Sequence, residues 1–339
     1  KVQILPPQPT KVKKIILIFL SIILSLCLVE VLLRSISIKP WSYAEFNTPT
    51  FFNIDKSLGW RAKEGSHTIK NPNSDKKTSM TFGKKGNRIN EYHNELNNPA
   101  VLFFGGSFTQ GWGVNDKQTY VSKLQNEYKN FTFYNFAQAG FGGTQSLVML
   151  REEINQIKDI NLVVYGFIEH HEYRNVARSA WLETLAKYSR RGYSEIPKIP
   201  YASLNNENKL LINPPIGYLQ LPLREYSSIV TLIEKFYMKQ ITKKRKRGQK
   251  IITKKIILEM DEISKKNNSK FLLVILDWSN KFTNDEYKKF MADQNISFVD
   301  CKILLNKETL IKGDYHPNEK GHIMYSTCIK NFINKNKLL

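Results

Sequence analysis

The stretch VLFFGGSFTQG, residues 101–111, determines how the rest of the chain is interpreted. Residues 101–104 form a short apolar run that ends in two glycines, as expected for a buried parallel strand followed by a sharp turn. Ser107 comes directly after this turn. In open parallel sheets, sites form beyond the carboxyl ends of the strands. We therefore expect the hydroxyl of Ser107 and the nearby N–H groups to face a common crevice.

Strand and helix patterns alternate downstream of this stretch. Further strands are predicted at residues 131–136, 162–167, 271–276 and 297–299. Helical spacing is found at residues 119–128, 145–157, 252–266 and 284–294, and a last helix is predicted at residues 319–334. This alternation predicts an α/β domain of three layers with a mostly parallel sheet, over residues 96–339.

Two regions depart from the alternating pattern. Residues 40–95 are polar and rich in turns, and we interpret them as an extended lead-in that packs along the domain. Residues 174–250 form an insertion of the kind that builds lids or substrate walls, with a helix predicted at residues 227–239. The insertion ends in a basic run at residues 243–247. That run either binds anionic glycan or lipid headgroups or forms a solvated surface, and the second interpretation is the simpler one.

The segment IILIFLSIILSLCLVEVLL, residues 15–33, carries a single charge, Glu30. As a helix it would be about 28 Å long, close to the hydrocarbon thickness of a bilayer. Lys11, Lys13 and Lys14 precede it, so the positive-inside rule predicts a cytoplasmic tail at residues 1–14 and places everything after residue 34 outside the cytoplasm. The apolar core is long and no alanine precedes Ala44, which favours a retained signal-anchor at residues 15–34 over a cleaved signal peptide. Glu30 lies near the outer end, where it can reach headgroups or water.

Composition limits the class of protein. Hydrophobic residues make up 41% and charged residues 24% of the 339 residues, which is typical of a globular chain. The net charge of +21 is spread over many lysines and no nucleic-acid-binding motif is present, so we predict no nucleic-acid partner. The cysteines Cys27, Cys301 and Cys328 form no metal-binding pattern, and neither a metal nor a cofactor is predicted. Cys301 and Cys328 are either paired, in an oxidising compartment, or two separate buried thiols.

A serine nucleophile needs a base within hydrogen-bond reach and a third group that orients the base. Asp314 and His316 lie in the loop before the last predicted helix, after the last predicted strand. We therefore predict a catalytic triad of Ser107, His316 and Asp314. His322, in the last helix, is interpreted as a packing or capping residue, and Trp112 and Tyr165 as wall or core residues.

Three blocks of the sequence resemble those of the SGNH, or GDSL-like, hydrolases. FFGGSFTQGWGV, residues 103–114, resembles the block that carries the nucleophile, and GDYHPNEKGH, residues 313–322, resembles the block that carries the acid and the histidine. NFAQAGFGGTQS, residues 135–146, resembles the block that supplies a glycine N–H to the oxyanion hole, which here is Gly140. The resemblance implies a flavodoxin-like fold, an acyl-enzyme mechanism and an oxyanion hole that includes the N–H of Ser107.

The chain departs from this family pattern at three places. Gly106 stands where an aspartate is common, and one residue instead of two separates Asp314 from His316. The family's asparagine, which donates to the oxyanion, is missing after the strand at residues 162–167. Alignment of the strand ends puts His170 at that position, and an imidazole can donate one N–H. His171 and Asn175 remain alternatives.

The sequence thus predicts a serine esterase held in the inner membrane by one helix, with its catalytic domain in the periplasm or otherwise extracytoplasmic. The expected substrate is an acylated glycan or lipid, above all an O-acyl group on a cell-envelope glycan. Two alternatives stay open. One is an O-acetyltransferase with the same fold, and the other is a non-catalytic binding or assembly protein.

Overall fold

The computed structural model describes residues 11–44, 51–70, 77–90, 98–188, 197–277, 279 and 281–339. Its strands are β1 (Phe52–Asp55), β2 (Gly59–Ala62), β3 (Gly65–Lys70), β4 (Lys77–Phe82), β5 (Ala100–Gly105), β6 (Thr132–Asn135), β7 (Ile160–Ile168), β8 (Ile199–Leu204), β9 (Leu210–Ile216), β10 (Lys270–Asp277) and β11 (Phe298–Asp300). Its α-helices are α1 (Lys11–Ser35), α2 (Ser107–Gln110), α3 (Tyr120–Glu127), α4 (Gly143–Glu153), α5 (His171–Asn175), α6 (Ser179–Tyr188), α7 (Ser228–Arg247), α8 (Gln249–Lys266), α9 (Lys281–Asp293) and α10 (Glu319–Asn336).

The described chain forms two compact units. The smaller comprises the described residues up to Tyr43 together with Leu219–Ile241, and the larger comprises the other described residues.

A sheet of five parallel strands is the centre of the larger unit. Strands β5, β7 and β10 are buried along nearly their whole length, as expected when both faces of a parallel sheet are covered. On one face Val101 and Val164 belong to a core that includes Leu124 of α3 and Tyr325 and Ile329 of α10. Helices α4 and α8 pack together on β5 and β10. The predicted three-layer α/β fold with a parallel sheet is confirmed.

The strand order across this sheet is β6-β5-β7-β10-β11. Numbered by position in the chain, the order is 2-1-3-4-5, which is the flavodoxin-like arrangement. After β6 the winding reverses, so β6 and β7 lie on opposite sides of β5. Ligands of such sheets bind where the winding reverses, beyond the carboxyl ends of the strands. Ser107 follows β5 and His170 follows β7, so both lie at this edge of the sheet.

The segment predicted as an extended lead-in, residues 40–95, contains two antiparallel hairpins, β1–β2 and β3–β4. They enclose a small apolar core formed by Phe51, Ala62, Ile69, Met80 and Phe82. Along β4 the residues Thr78, Met80 and Phe82 are buried in alternation, as expected of a strand with one face inward. The indole N–H of Trp60 donates to the carbonyl of Ala139 at 3.0 Å, which ties this segment to the loop after β6.

The smaller unit contains α1, whose 25 residues have a mean hydropathy of 3.0 over the most apolar window and no buried side chain. By length and composition α1 can cross a membrane, although a signal sequence has the same properties. Leu219–Ile241 belongs to this unit, whereas the whole of residues 174–250 was predicted as an insertion within the α/β domain. The grouping has a physical cause in Arg224, whose guanidinium lies 3.5 Å from the ring of Trp41 and whose carbonyl accepts from the N–H of Trp41 at 2.9 Å.

Candidate active site

Ser107 is the first residue of α2 and follows β5 through Gly105 and Gly106. Ser107 is only 5% exposed, so its hydroxyl lies within a crevice and not on an open surface. The N–H of Gln110 donates to the carbonyl of Gly106 at 3.0 Å, and the N–H of Gly111 donates to the carbonyl of Ser107 at 2.9 Å. These two hydrogen bonds form one short helical turn. The turn thereby holds the serine at the carboxyl end of the sheet, where the sequence placed it.

The structure brings Ser107, His316 and Asp314 together. The Nε2 atom of His316 lies 2.8 Å from the Oγ atom of Ser107. Its Nδ1 atom lies 2.5 Å from the Oδ1 atom of Asp314, which also accepts from the backbone N–H of His316 at 3.3 Å. A proton on Nδ1 donates to the carboxylate and leaves Nε2 as an acceptor for the serine hydroxyl.

A tight turn before α10 presents the histidine and the aspartate. The N–H of Ile311 donates to the carbonyl of His316 at 2.9 Å, and the N–H of Asp314 donates to the carbonyl of Ile311 at 3.0 Å. Asn318 caps α10 by accepting from the N–H of Gly321, while its amide donates back to the carbonyl of Leu310 at 3.0 Å. The position of His316 is therefore set by the cap of the last helix.

Local charge keeps Asp314 ionised. Burial on its own would raise the pKa of this carboxyl, but the hydrogen bonds from the side chain and the backbone of His316, with electrostatic attraction to that residue, outweigh burial and lower the pKa below its ordinary value. The indole of Trp112 adds a smaller contribution in the same direction. A carboxylate held in the charged form can stabilise the imidazolium that forms when the histidine takes a proton.

Gly140 lies in the loop after β6 and has a φ of +86°, in the left-handed region that favours glycine. A Cβ atom at this position would lie 2.8 Å from the ring of Trp60 and 3.3 Å from that of Trp181. The loop is joined to the nucleophile turn because the N–H of Gln138 donates to the carbonyl of Gly105 at 3.2 Å. In the part of the chain that the structure describes, the N–H groups of Ser107 and Gly140 have no hydrogen-bond acceptor.

The three residues considered for the missing asparagine have different environments. His170 lies at the carboxyl end of β7 and is exposed, and its imidazole makes no hydrogen bond with the described residues. Desolvation by its neighbours, and then the charge of Arg174, lower the pKa of His170; His316 lies near enough to add to the effect. His171 is fully buried, and its Nδ1 atom lies 2.7 Å from the hydroxyl of Tyr165.

Asn175 is committed to packing between helices. Its Oδ1 atom accepts from the N–H of Thr144 at 3.0 Å, and its Nδ2 atom donates to the hydroxyl of Thr253 at 2.9 Å. The residue is fully buried. Asn175 is therefore occupied at both polar atoms, and of the alternatives His170 is the one with a free, solvent-facing imidazole.

The glycine at position 106 is explained by the residues that fill the space around it. A Cβ atom there would lie 2.9 Å from Nε2 of His171 and 3.3 Å from the carbonyl oxygen of Phe141. The guanidinium of Arg174 is next, at 3.6 Å. Side chains from α5 thus occupy the place that an aspartate before the serine would take.

No group of three or more His, Cys, Asp or Glu side chains that could hold a metal ion is found among the residues that the structure describes. His322 is fully buried, and its Nδ1 atom accepts from the N–H of Tyr120 at 3.2 Å at the start of α3. The interpretation of His322 as a capping histidine is confirmed.

The chain is similar in fold to solved structures of lipolytic proteins. A member of the lipolytic protein G-D-S-L family from Veillonella parvula is 11% identical, with 70% of this chain and 98% of that chain covered and a TM-score of 0.40. TesA is 12% identical, with 71% and 99% covered and a TM-score of 0.41. A carbohydrate esterase family 3 protein from Talaromyces cellulolyticus is 10% identical, with 71% and 99% covered and a TM-score of 0.35. No family model matches the chain, and no curated protein matches it in sequence.

Two contacts of the site were not anticipated from the sequence. Trp112, interpreted as a wall or core residue, lies with its ring 6.1 Å from that of His316 and helps to lower the pKa of Asp314. Tyr165, interpreted in the same way, contacts Nδ1 of His171 through its hydroxyl. The signal for Trp112 was its place five residues after Ser107, at the end of the nucleophile turn.

Proposed function

We propose that the protein is a serine esterase that hydrolyses acyl esters through an acyl-enzyme. The observation that carries this proposal is the chain of two short contacts from Ser107 through His316 to Asp314. A nucleophile, a base and a group that orients the base are the parts that ester hydrolysis by serine requires.

In the proposed mechanism, the oxygen of Ser107 attacks the ester carbonyl while Nε2 of His316 takes the hydroxyl proton. The oxyanion that forms accepts hydrogen bonds from the N–H groups of Ser107 and Gly140 and from the imidazole of His170. The C–O bond to the alcohol then breaks, and His316 gives its proton to the departing oxygen. Water activated by the same histidine attacks the acyl-enzyme, which releases the acid and restores the serine.

We propose O-acyl groups of a cell-envelope glycan as the substrate class. A cavity lined by Tyr173, Arg178, Ala180, Trp181 and Thr184 lies on the insertion. Trp181 also borders Gly140, so this cavity adjoins the proposed oxyanion loop. Aromatic walls with a few placed polar groups are suited to the faces and hydroxyls of sugar rings. Arg178 forms no ion pair with the described residues, and its charge is available for an acidic sugar.

We propose further that α1 anchors the protein in the inner membrane and that the larger unit lies outside the cytoplasm. Lys11, Lys13 and Lys14 precede the apolar segment, which supports this orientation by the positive-inside rule. Cys301 and Cys328 form a disulfide, and disulfides persist in oxidising compartments such as the periplasm.

One experiment tests both the reactive serine and the orientation. The full chain is produced in a bacterial host, and spheroplasts with an intact membrane are treated with a fluorophosphonate that cannot cross it. We expect labelling of the intact spheroplasts, lost in Ser107→Ala, with hydrolysis of p-nitrophenyl acetate falling by about a thousandfold or more in that variant. Labelling only after lysis would overturn the orientation. Absence of labelling before and after lysis would overturn the esterase.

A further inference from the structure

Helix α7 exposes a row of large apolar side chains. Ile233 is 52%, Phe236 64% and Tyr237 50% exposed, and Ile241 is 44% exposed. These residues recur at intervals of three and four, so they share one side of the helix. Tyr226, just before the helix, is also exposed, at 76%. Contiguous exposed apolar surface of this kind marks a contact with a partner or a membrane.

The other sides of α7 have different roles. Thr231, Glu234 and Met238 are buried, so their side of the helix packs against other parts of the protein. Lys235 and Lys239 are exposed and lie one turn apart, away from the apolar row. The helix therefore has a packed side, a basic side and an apolar side that nothing in the described chain covers.

The start of α7 is fixed to the outer end of α1 by Glu30. The carboxylate of Glu30 accepts from the N–H of Ser228 at 2.8 Å, from the N–H of Ile229 at 3.2 Å and from the hydroxyl of Ser227 at 2.9 Å. The two N–H groups are donors that the first turn of a helix leaves unpaired. Arg34 adds a contact on the other side, because it binds Glu30 at 2.7 Å and donates to the carbonyl of Tyr226 at 2.6 Å.

The depth of this junction follows from the residues around it. A groove between the two helices is lined by Leu26, Cys27 and Val31 of α1 and by Tyr226, Ile229 and Val230 at the start of α7. Leu26 and Val31 belong to the apolar segment that would lie in the outer half of the bilayer. The first turn of α7 consequently meets α1 at the level of the outer headgroups.

We infer that the apolar row of α7, from Ile233 to Ile241, lies with Tyr226 at the interface between the outer leaflet of the inner membrane and water, with its side chains among the lipids. The bilayer is the occupant because the row continues directly from a helix that is apolar on every side. Tyr and Phe are enriched at this depth, and the basic side of α7 would meet anionic headgroups. The inference rests on the proposed anchoring by α1, and it is independent of the proposed esterase activity.

Fluorescence quenching in lipid nanodiscs tests this inference on the full chain. Cys27→Ser removes the free thiol, while Cys301 and Cys328 are protected by their disulfide. Single cysteines are then introduced as Ile233→Cys, Phe236→Cys or Lys235→Cys and labelled with an environment-sensitive dye. Lys235 is the matched control because it lies between the two test positions in sequence and on a different side of the helix. Leu24→Cys reports on α1.

We expect lipids that carry a quencher to remove most of the emission at positions 24, 233 and 236 and little at 235. Quenching at 24 without quenching at 233 and 236 would overturn the inference and leave the anchor intact. Shielding of 233 and 236 from aqueous iodide without lipid quenching would point to a protein partner and would also overturn it. Equal quenching at 233, 235 and 236 would contradict the proposed orientation. Lack of quenching at 24 would remove the anchor and this inference together, whereas ester hydrolysis by the same samples reports on the proposed function separately.

Discussion

At the scale of single residues, the spacing of sequence motifs predicted which side chains meet. Ser107 and His316 are 209 positions apart, and their side-chain atoms lie 2.8 Å apart. This could be predicted because Ser107 directly follows β5 and His316 lies in the loop between the last strand and the last helix, and such loops meet at the carboxyl edge of a parallel sheet. The third oxyanion donor could not be predicted in the same way, because it depends on how the chain turns after β7 and not on a motif.

Substitution of His170 tests whether its imidazole donates a hydrogen bond to the oxyanion. If its imidazole donates to the oxyanion, His170→Ala should lower kcat for p-nitrophenyl acetate by about a hundred- to a thousandfold, the usual cost of one lost donor. His170→Asn, which restores an N–H donor, should recover much of that loss. A change of kcat of less than about threefold in His170→Ala would exclude it as a donor.

Gly106 and Asn175 show why a family pattern transfers incompletely. The side chains of His171 and Arg174 fill the space beside Gly106. Asn175, the first asparagine after the strand, is used to hold α4 against α8 through Thr144 and Thr253. Both facts depend on packing around α5, a helix of five residues that the sequence pattern did not indicate.

At the scale of elements, the disulfide between Cys301 and Cys328 joins the two ends of the segment that carries His316. Cys301 follows β11 directly and Cys328 lies within α10, with their Cα atoms 5.7 Å apart. Asp314 and His316 lie between them in sequence. The sequence left this pairing open because it depends on the packing of the last helix against the last strand, which no local pattern specifies.

Loss of this disulfide should affect both stability and turnover. We expect the double variant Cys301→Ser, Cys328→Ser to lose about 2–4 kcal/mol of unfolding free energy, since the open chain gains conformational freedom. Its esterase activity should also fall because the loop with His316 is less well held. Thermal unfolding and ester hydrolysis of the full chain in detergent measure the two effects. Cys27→Ser is the matched control and should behave like the parent; a double variant that matches the parent in both assays would contradict the prediction.

The hairpins β1–β2 and β3–β4 are elements that the sequence pattern did not predict. Five buried apolar residues form their core among the residues that the structure describes, so the periodic signal along each strand is short. The strands of the parallel sheet were predicted to within two residues because they are apolar runs bounded by glycines and turns. A strand that buries few apolar side chains shows little alternation of apolar and polar residues in its sequence, so it is hard to predict.

At the scale of the whole molecule, buried histidines couple folding to pH. Burial, followed by the charges of Arg88 and Lys123, lowers the pKa of His322 to about 3. Its pKa in the unfolded chain is near 6.5. Between these values the unfolded chain binds a proton that the folded protein does not, so stability falls as pH drops from about 6.5 towards 3, by up to ~1.4 kcal/mol per pH unit. Burial shifts the pKa of His171 in the same direction.

His322→Asn should flatten this dependence. The asparagine retains an acceptor for the N–H of Tyr120 but cannot take up a proton, so the loss of stability between pH 6.5 and 4 should be smaller than in the parent. Urea unfolding of the full chain across this pH range measures the two slopes. Parallel slopes for parent and variant would show that His322 does not titrate on unfolding.

The division into two units was the feature of the whole molecule that the sequence did not indicate. The periodicity of α7 predicted a helix, and its residues were assigned to the α/β domain because they are flanked by it in sequence. The contacts of Glu30 and Trp41 instead group Leu219–Ile241 with the first helix.

Position 30 is subject to two opposing demands: an apolar segment favours a hydrophobic residue there, whereas the start of α7 requires a hydrogen-bond acceptor. Replacing Glu30 by leucine would make the segment more hydrophobic, yet it would leave four donors without their acceptor: the N–H groups of Ser228 and Ile229, the hydroxyl of Ser227 and Nε of Arg34. Natural variation at position 30 should therefore be narrow and should retain an oxygen, even as the aliphatic residues around it drift freely. Glu30 is thus the residue at which the proposed insertion of α1 into a membrane and the packing of α7 against α1 make opposite demands.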